Sequence, residues 1–160
     1  MQVRRSLLEI FVGAAITLSI PSLGHAQARR TGDAVLDTVQ FAAELEVDLE
    51  TSKRVARGLY FRDLITGTGR TAHRGDEVTV RYGGRLADGR SFTAPEEPPA
   101  TFKLGAGTVI QGWERGLSGM RVGGLRQLVI APYLGYGSKG AGLIPANAVL
   151  VFDVELVSVK

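Results

Sequence analysis

Side chains able to carry protons, bind cations or attack an electrophile are scarce in this chain, whereas aromatic side chains are grouped. There is no cysteine, and the two histidines are His25, in an apolar N-terminal stretch, and His73, in a polar turn. Thiol nucleophiles, cysteine-ligated zinc and disulfides are excluded, and a histidine triad or metal cluster has too few members. The run TVIQGWERGLSG from Thr108 to Gly119 holds the only tryptophan, Trp113, shortly after Val109 and Ile110. Pro132, Tyr133, Tyr136 and Gly137 follow, then LIPANAVLVFDVEL from Leu143 to Leu156. Such residues suit an aromatic pocket that works by shape, desolvation and neutral hydrogen bonds rather than by proton transfer.

The 160 residues, 44% hydrophobic and 22% charged, are enough for one ordinary domain with an extension. The 19 basic and 16 acidic residues are interspersed along the chain. No basic stripe is available to track a phosphate backbone, so nucleic-acid binding is not expected.

The elements that must position the aromatic residues are short strands, punctuated by Gly67, Gly69, Gly75, Gly83-Gly84 and Asp88-Gly89. Val78, Val80 and Tyr82 alternate with polar neighbours, the period of a half-buried strand, and Asp88-Gly89 marks a tight turn. Thr101 to Leu104 and Leu125 to Ile130 are further strands. In the last, Leu150, Phe152, Val154 and Leu156 face one way and Asp153 and Glu155 the other, which predicts a central strand. Gly112 to Gly119 breaks this rhythm: Trp113, Leu117 and Met120 recur at helical spacing. The expected fold class is α+β, an antiparallel sheet wrapped around one short helix.

At the N-terminus, Arg4 and Arg5 precede an apolar run from Leu7 to Ile20 interrupted by Glu9, then Pro21 and small residues. Residues 1–26 are expected to be a cleavable signal peptide, cut after Ala26 or Ala28. The run falls short of the ~20 residues that span a bilayer, so stable membrane insertion is not expected. Arg4-Arg5-Ser6-Leu7-Leu8 fits the twin-arginine export pattern, but ordinary secretory signals also carry paired arginines, and both routes stay open. Either predicts a periplasmic or secreted bacterial protein, and the lack of cysteine argues against a lipoprotein. Residues 27–57 read as a linker lying partly on the domain surface, with Leu36, Val39 and Ala43 permitting a helical turn or two. The domain is expected over 58–160, as a monomer, since no dimerisation element is visible.

Four blocks carry a resemblance: GLYFRDLITGTG from Gly58, DEVTVRYGGRLADGRSF from Asp76, FKLGAGTVIQGWERGLSGMRVGG from Phe102, and APYLGYGSKGAGLIPANAVLVFDVEL from Ala131. In this order and spacing they resemble an FKBP-type peptidyl-prolyl cis-trans isomerase domain. The resemblance implies an FKBP-like sheet around one helix and catalysis without a cofactor of isomerisation at the bond preceding proline. Its implied partners are proline-containing peptides, unfolded exported proteins and macrolide inhibitors such as tacrolimus. It further implies a catalytic pocket with Trp113 as floor and Tyr82, Phe92 and Phe152 as walls, and Tyr136 offering a hydroxyl to substrate. Phe102, Val109, Ile110, Leu143 and Ile144 would contact the substrate, with the Ile110 N–H donating to a substrate carbonyl. Two departures are visible. Thr93 stands where the family often has aspartate, which removes a carboxylate from the pocket edge, and Ala100 replaces an aromatic residue. A non-catalytic proline-binding module of the same fold is the alternative. A chaperone acting through exposed apolar surface is disfavoured, because no added flap domain is present.

Overall fold

The computed structural model describes residues 33–160; the expected signal segment 1–26, with His25, lies outside the described residues. Six strands form one antiparallel sheet: β1 Lys53–Ala56, β2 Leu59–Ile65, β3 Glu77–Leu86, β4 Ala100–Lys103, β5 Leu125–Ile130 and β6 Leu150–Val159, in the order β1-β2-β5-β6-β3-β4. As its alternation predicts, β6 is interior, pairing with β5 and β3. Its Leu150, Phe152, Val154 and Leu156 enter the main core with Val78 and Val80 of β3, Leu128 and Ile130 of β5, and Leu117 and Met120.

The helix α1, Gln111–Gly116, packs across this face. It ends earlier than the spacing predicts, yet Leu117 and Met120 are buried as expected, each turned inward by a backbone bond, Leu117 N–H to Trp113 O at 3.1 Å and Met120 N–H to Leu117 O at 3.1 Å. Glycine sets the helix depth. A Cβ on Gly112 would lie 2.6 Å from Ile130 Cδ1, and one on Gly116 2.7 Å from Leu128 Cδ2, so larger residues would lift Trp113 off the sheet. Arg126 fixes the other end. Nearly buried on β5, it donates from Nε and Nη2 to the Asp63 carboxylate at 2.6 and 3.1 Å and from Nη1 to the Gly116 carbonyl at 2.7 Å, with its guanidinium 3.9 Å from the centre of the Phe61 ring. A cation on the last helical carbonyls is favourable there.

Two expectations need correction. Gly83-Gly84 does not end a strand: β3 runs through both, because Gly84 pairs with Phe152 and its missing side chain leaves room for the Phe92 ring. A Cβ at Gly84 would come within 2.9 Å of Phe152 Cε1 and nearer still to Phe92.

The second correction is larger. The segment before Gly58, expected to be a linker lying partly on the domain surface, is docked on the sheet from residue 33 onward and supplies a strand to it. Residues 33–52 form a strap across the sheet face opposite α1, followed by β1. Two 3₁₀ turns, Leu36–Thr38 and Ala43–Leu45, each bury one leucine. Leu36 joins Tyr60, Val129, Ala131 and Val149 in a second apolar cluster, with Val39, Phe41, Val47 and Leu49 around it. Polar contacts fasten it: Gln127 Nε2 donates to Leu45 O at 2.8 Å, Arg62 Nη2 to Glu46 O at 2.6 Å, and Ala42 N–H to Ala87 O at 2.8 Å. At its start, buried Asp33 accepts the Tyr133 hydroxyl at 2.5 Å and the Val35 N–H at 3.0 Å. Coverage on both faces is why nearly all of β5 and the first half of β6 are buried, rather than alternating as half-wet strands would.

Candidate active site

Between α1, the β3 and β6 strands and the loops after β3 and β5 lies an open cavity of about 740 Å³. That volume is in the range of small-ligand sites. Trp113 forms its floor, since α1 holds it against the sheet. The Tyr82 ring meets it edge-on at 4.8 Å, and Phe152 does so at 5.3 Å and 76°. Phe92 stands against Phe152 at 5.3 Å and 81°. These positions follow from pairing: Gly84 lies opposite Phe152 and Tyr82 opposite Val154, so residues two apart on β3 present one ring and one gap to the β6 ring. Edge-to-face packing locks the cluster in the geometry aromatic quadrupoles favour.

Apart from the carboxylate of Glu97, the polar groups of the cavity are few and neutral. Among the described residues nothing bonds the buried indole N–H of Trp113. The carbonyl of Ile110 accepts from Trp113 N–H at 3.0 Å and Glu114 N–H at 3.2 Å, whereas the Ile110 N–H has no acceptor among the described residues. Glu114 shapes the preceding turn by accepting the N–H groups of Gly105 and Gly107. Tyr136 lines the cavity 40% exposed, its hydroxyl unpaired among the described residues. Burial pushes the Tyr82 phenol up, and the charge of Glu97 and the neighbouring Tyr136 add to it, so Tyr82 stays protonated at neutral pH.

Nine of the ten residues singled out from the sequence line this cavity: Tyr82, Phe92, Trp113, Tyr136 and Phe152 on the aromatic side, and Val109, Ile110, Leu143 and Ile144 around the mouth. Ile144 is buried and Leu143 is 75% exposed, on a turn closed by reciprocal backbone bonds between Ala141 and Ile144 at 2.9 and 2.8 Å. Phe102 departs from its expected place. It lies outside the cavity wall and stands against Trp113 at 5.8 Å between ring centres, because β4 pairs it with Val78, deeper along β3 than the Ala100–Val80 pair.

Thr93 and Ala100, the two departures from the family pattern, line the cavity too, as do Glu97, Thr108, Ala141 and Gly142, which the sequence did not assign there. Thr93 uses its Oγ1 to accept the Gly84 N–H at 2.9 Å, continuing the backbone pairing of β3. The expected lack of a carboxylate at the pocket edge is corrected as well: Glu97 supplies one from further along the loop.

Among the described residues, a six-stranded antiparallel sheet wrapped on one short helix, with an aromatic cavity floored by a tryptophan, defines the class as a small α+β domain with an open aromatic pocket. The family model described as FKBP-type peptidyl-prolyl cis-trans isomerase matches residues 68–157, and this chain belongs to that family. Among curated proteins it is similar to FK506-binding protein 4 of Chaetomium thermophilum, 48% identical over 108 residues, covering 67% of this chain and 22% of that protein. It is 53% identical over 95 residues to FK506-binding protein 2B of Rhizopus delemar, covering 57% and 46% of the two chains. The chain thus spans less than half the length of these curated relatives. Among solved structures, AtFKBP13 superposes with a TM-score of 0.63 at 36% identity, covering 68% of this chain and 98% of that one. FkpA from Escherichia coli does so with 0.63 at 39% identity, covering 73% and 55%.

Proposed function

We propose that this chain catalyses cis-trans isomerisation of peptide bonds preceding proline, as a monomer acting on exported proteins. The observation that carries the reading is the buried Trp113 floor walled by Tyr82, Phe92 and Phe152, with the Ile110 N–H unpaired at the rim. The uncatalysed bond crosses a barrier of about 18–20 kcal/mol and interconverts over tens of seconds or longer. No covalent bond breaks. A planar amide is stabilised by charge separation between oxygen and nitrogen, and that separation shrinks as the bond twists. An apolar cavity therefore disfavours the planar state relative to the twisted one. The proline ring packs on Trp113, while the Ile110 N–H and the Tyr136 hydroxyl hold substrate carbonyls on either side of the rotating bond. About 4 kcal/mol of differential stabilisation gives roughly a thousandfold acceleration.

Export rests on the Arg4-Arg5 pair, the apolar run from Leu7 to Ile20 and the small residues before Gln27. Fractionation of expressing bacterial cells, with the mature N-terminus determined, tests it: a chain beginning at Gln27 or Arg29 outside the cytoplasm is expected, and an uncut chain in the cytoplasm refutes it.

The activity is tested by exchange NMR on a short Xaa-Pro peptide, with and without tacrolimus, beside a Trp113→Leu variant shown by circular dichroism to fold. Acceleration that falls at least tenfold in the variant is expected. Peptide binding without acceleration favours the non-catalytic module, for which Thr93 and Ala100 are the motivating observations, one standing where the family often has aspartate and the other leaving one wall of the cavity without a ring.

A further inference from the structure

The cavity that receives proline has one charged lining side chain among the described residues, Glu97. Every other lining group is apolar, a backbone or hydroxyl group, a phenol or the indole of Trp113. The residue sits in the loop Ala94-Pro95-Glu96-Glu97-Pro98-Pro99, whose three prolines restrict the backbone before and after it. A turn sets its direction: Glu97 N–H donates to Ala94 O at 3.2 Å, and Ala94 N–H donates to Glu97 Oε2 at 3.2 Å. The second carboxylate oxygen, Oε1, has no hydrogen-bond or ion-pair partner among the described residues, and the side chain is half-buried rather than fully solvated. Its charge reaches the Tyr82 phenol on the cavity wall. Neighbouring Glu96 is exposed and lies outside the lining, and no ion pair to Glu97 forms among the described residues, where Arg90 pairs with Asp88 and Arg81 with Glu155.

We infer that Glu97 is a specificity-determining residue that selects proline segments carrying a lysine or arginine beside the proline, by pairing with that cation at the cavity mouth. The inference rests on the isomerase reading of the same cavity. Three features make the pairing productive. The carboxylate is held before substrate arrives, so little side-chain freedom is lost on binding. Low-dielectric aromatic walls on one side strengthen its field relative to open solvent. No cation of the chain competes for Oε1 among the described residues. A glutamate beside the proline meets the same charge and is disfavoured, so discrimination has both an attractive and a repulsive component.

The test uses the mature chain and peptides identical except for Lys, Ala or Glu immediately before the proline, with a second set varied immediately after it. The kcat/KM ratio of the Lys peptide to the Glu peptide is expected to be about tenfold at low ionic strength in at least one set, and to fall towards one in about 1 M salt. In Glu97→Gln the ratio collapses to near one, and in Glu97→Lys it inverts. Glu96→Gln, outside the cavity, keeps the wild-type ratio. Equal kcat/KM for Lys and Glu peptides in the wild type, or a ratio that survives Glu97→Gln, overturns the inference. If no peptide is accelerated, the isomerase reading fails by itself. The Kd ratio of the same peptides by titration calorimetry then decides on Glu97: a Lys preference abolished by Glu97→Gln supports the subsite, and its absence refutes it.

Discussion

Leu36→Ala separates a docked strap from a tether. Leu36 is 2% exposed and packs with Tyr60, Val129, Ala131 and Val149 on the sheet face opposite the helix. Truncating a leucine buried this fully costs about 2–4 kcal/mol, combining lost transfer energy with the cavity left behind. Urea slopes for such domains lie at about 1–3 kcal/mol per molar, and with a slope of about 2 the unfolding midpoint should fall by about 1–2 M. Val35→Ala is the internal comparison: Val35 is 37% exposed on the same turn, and its truncation should cost no more than about 0.5 kcal/mol. Fluorescence of Trp113 during urea unfolding reads both variants from the opposite face, so a shift for Leu36→Ala also demonstrates that strap and domain unfold together. Hydrogen exchange supplies a second observable, since the Ala42 N–H bonded to Ala87 O should exchange with protection comparable to the strands. A Leu36→Ala midpoint equal to that of Val35→Ala, with rapid exchange at Ala42, would refute the docking argument.

Arg126→Leu should destabilise by about 3–5 kcal/mol in urea unfolding, because it strands the Asp63 carboxylate and the Gly116 carbonyl. Arg126→Lys should restore only part of this, since an ammonium cannot reach both partners in the fork geometry. Gly84→Ala should lower kcat/KM on Xaa-Pro peptides at least fivefold while leaving most of the fold intact by circular dichroism, because a Cβ there meets both Phe92 and Phe152; unchanged kinetics would contradict it. Tyr133 is pushed up to about 12, first by burial and then by its hydrogen bond to Asp33. Between the ordinary phenol value near ~10 and that value the folded state keeps a proton the unfolded chain has released, so stability falls across this window as pH rises. Tyr133→Phe should remove that component of the alkaline decline, measured as the difference between the two stability profiles. Asp33 shifts the other way: burial raises it, but the Tyr133 hydroxyl, the Val35 and Leu36 N–H groups and Arg57 outweigh burial and hold the carboxyl below its ordinary range. Its contribution is complete above about pH 4 and is lost as pH falls through the depressed value, so Asp33→Asn should flatten the acid limb of the same profile.

What could be read before the structure follows from where periodicity operates. Val78, Val80 and Tyr82, and Leu150, Phe152, Val154 and Leu156, repeat every second residue because each faces one core, and the pocket floor inherits its placement from them. Trp113 was legible for the same reason, being fixed by a helix whose glycines set its depth. The strap was not, since its two 3₁₀ turns bury one leucine apiece and leave no run long enough to show a period. A signal for it did exist elsewhere: Val129, Val149 and Val151 are apolar where a half-wet sheet would be polar, so something had to cover that face. Phe102 was assigned to the pocket by the family resemblance alone; its depth along the sheet is decided by the β3–β4 register, which neither a motif nor alternation shows. Glu97 marks the sharper limit. Aligning Thr93 with a familiar aspartate position implied a lost carboxylate, yet a carboxylate returns to the cavity wall through a proline-rich loop, where no periodicity relates chain position to side-chain direction. In this domain the apolar machinery is therefore carried by regular elements, and the charge at its mouth by a loop free to vary. Substrate preference can then diverge between relatives that share the Trp113 floor, with little cost to the fold that holds it.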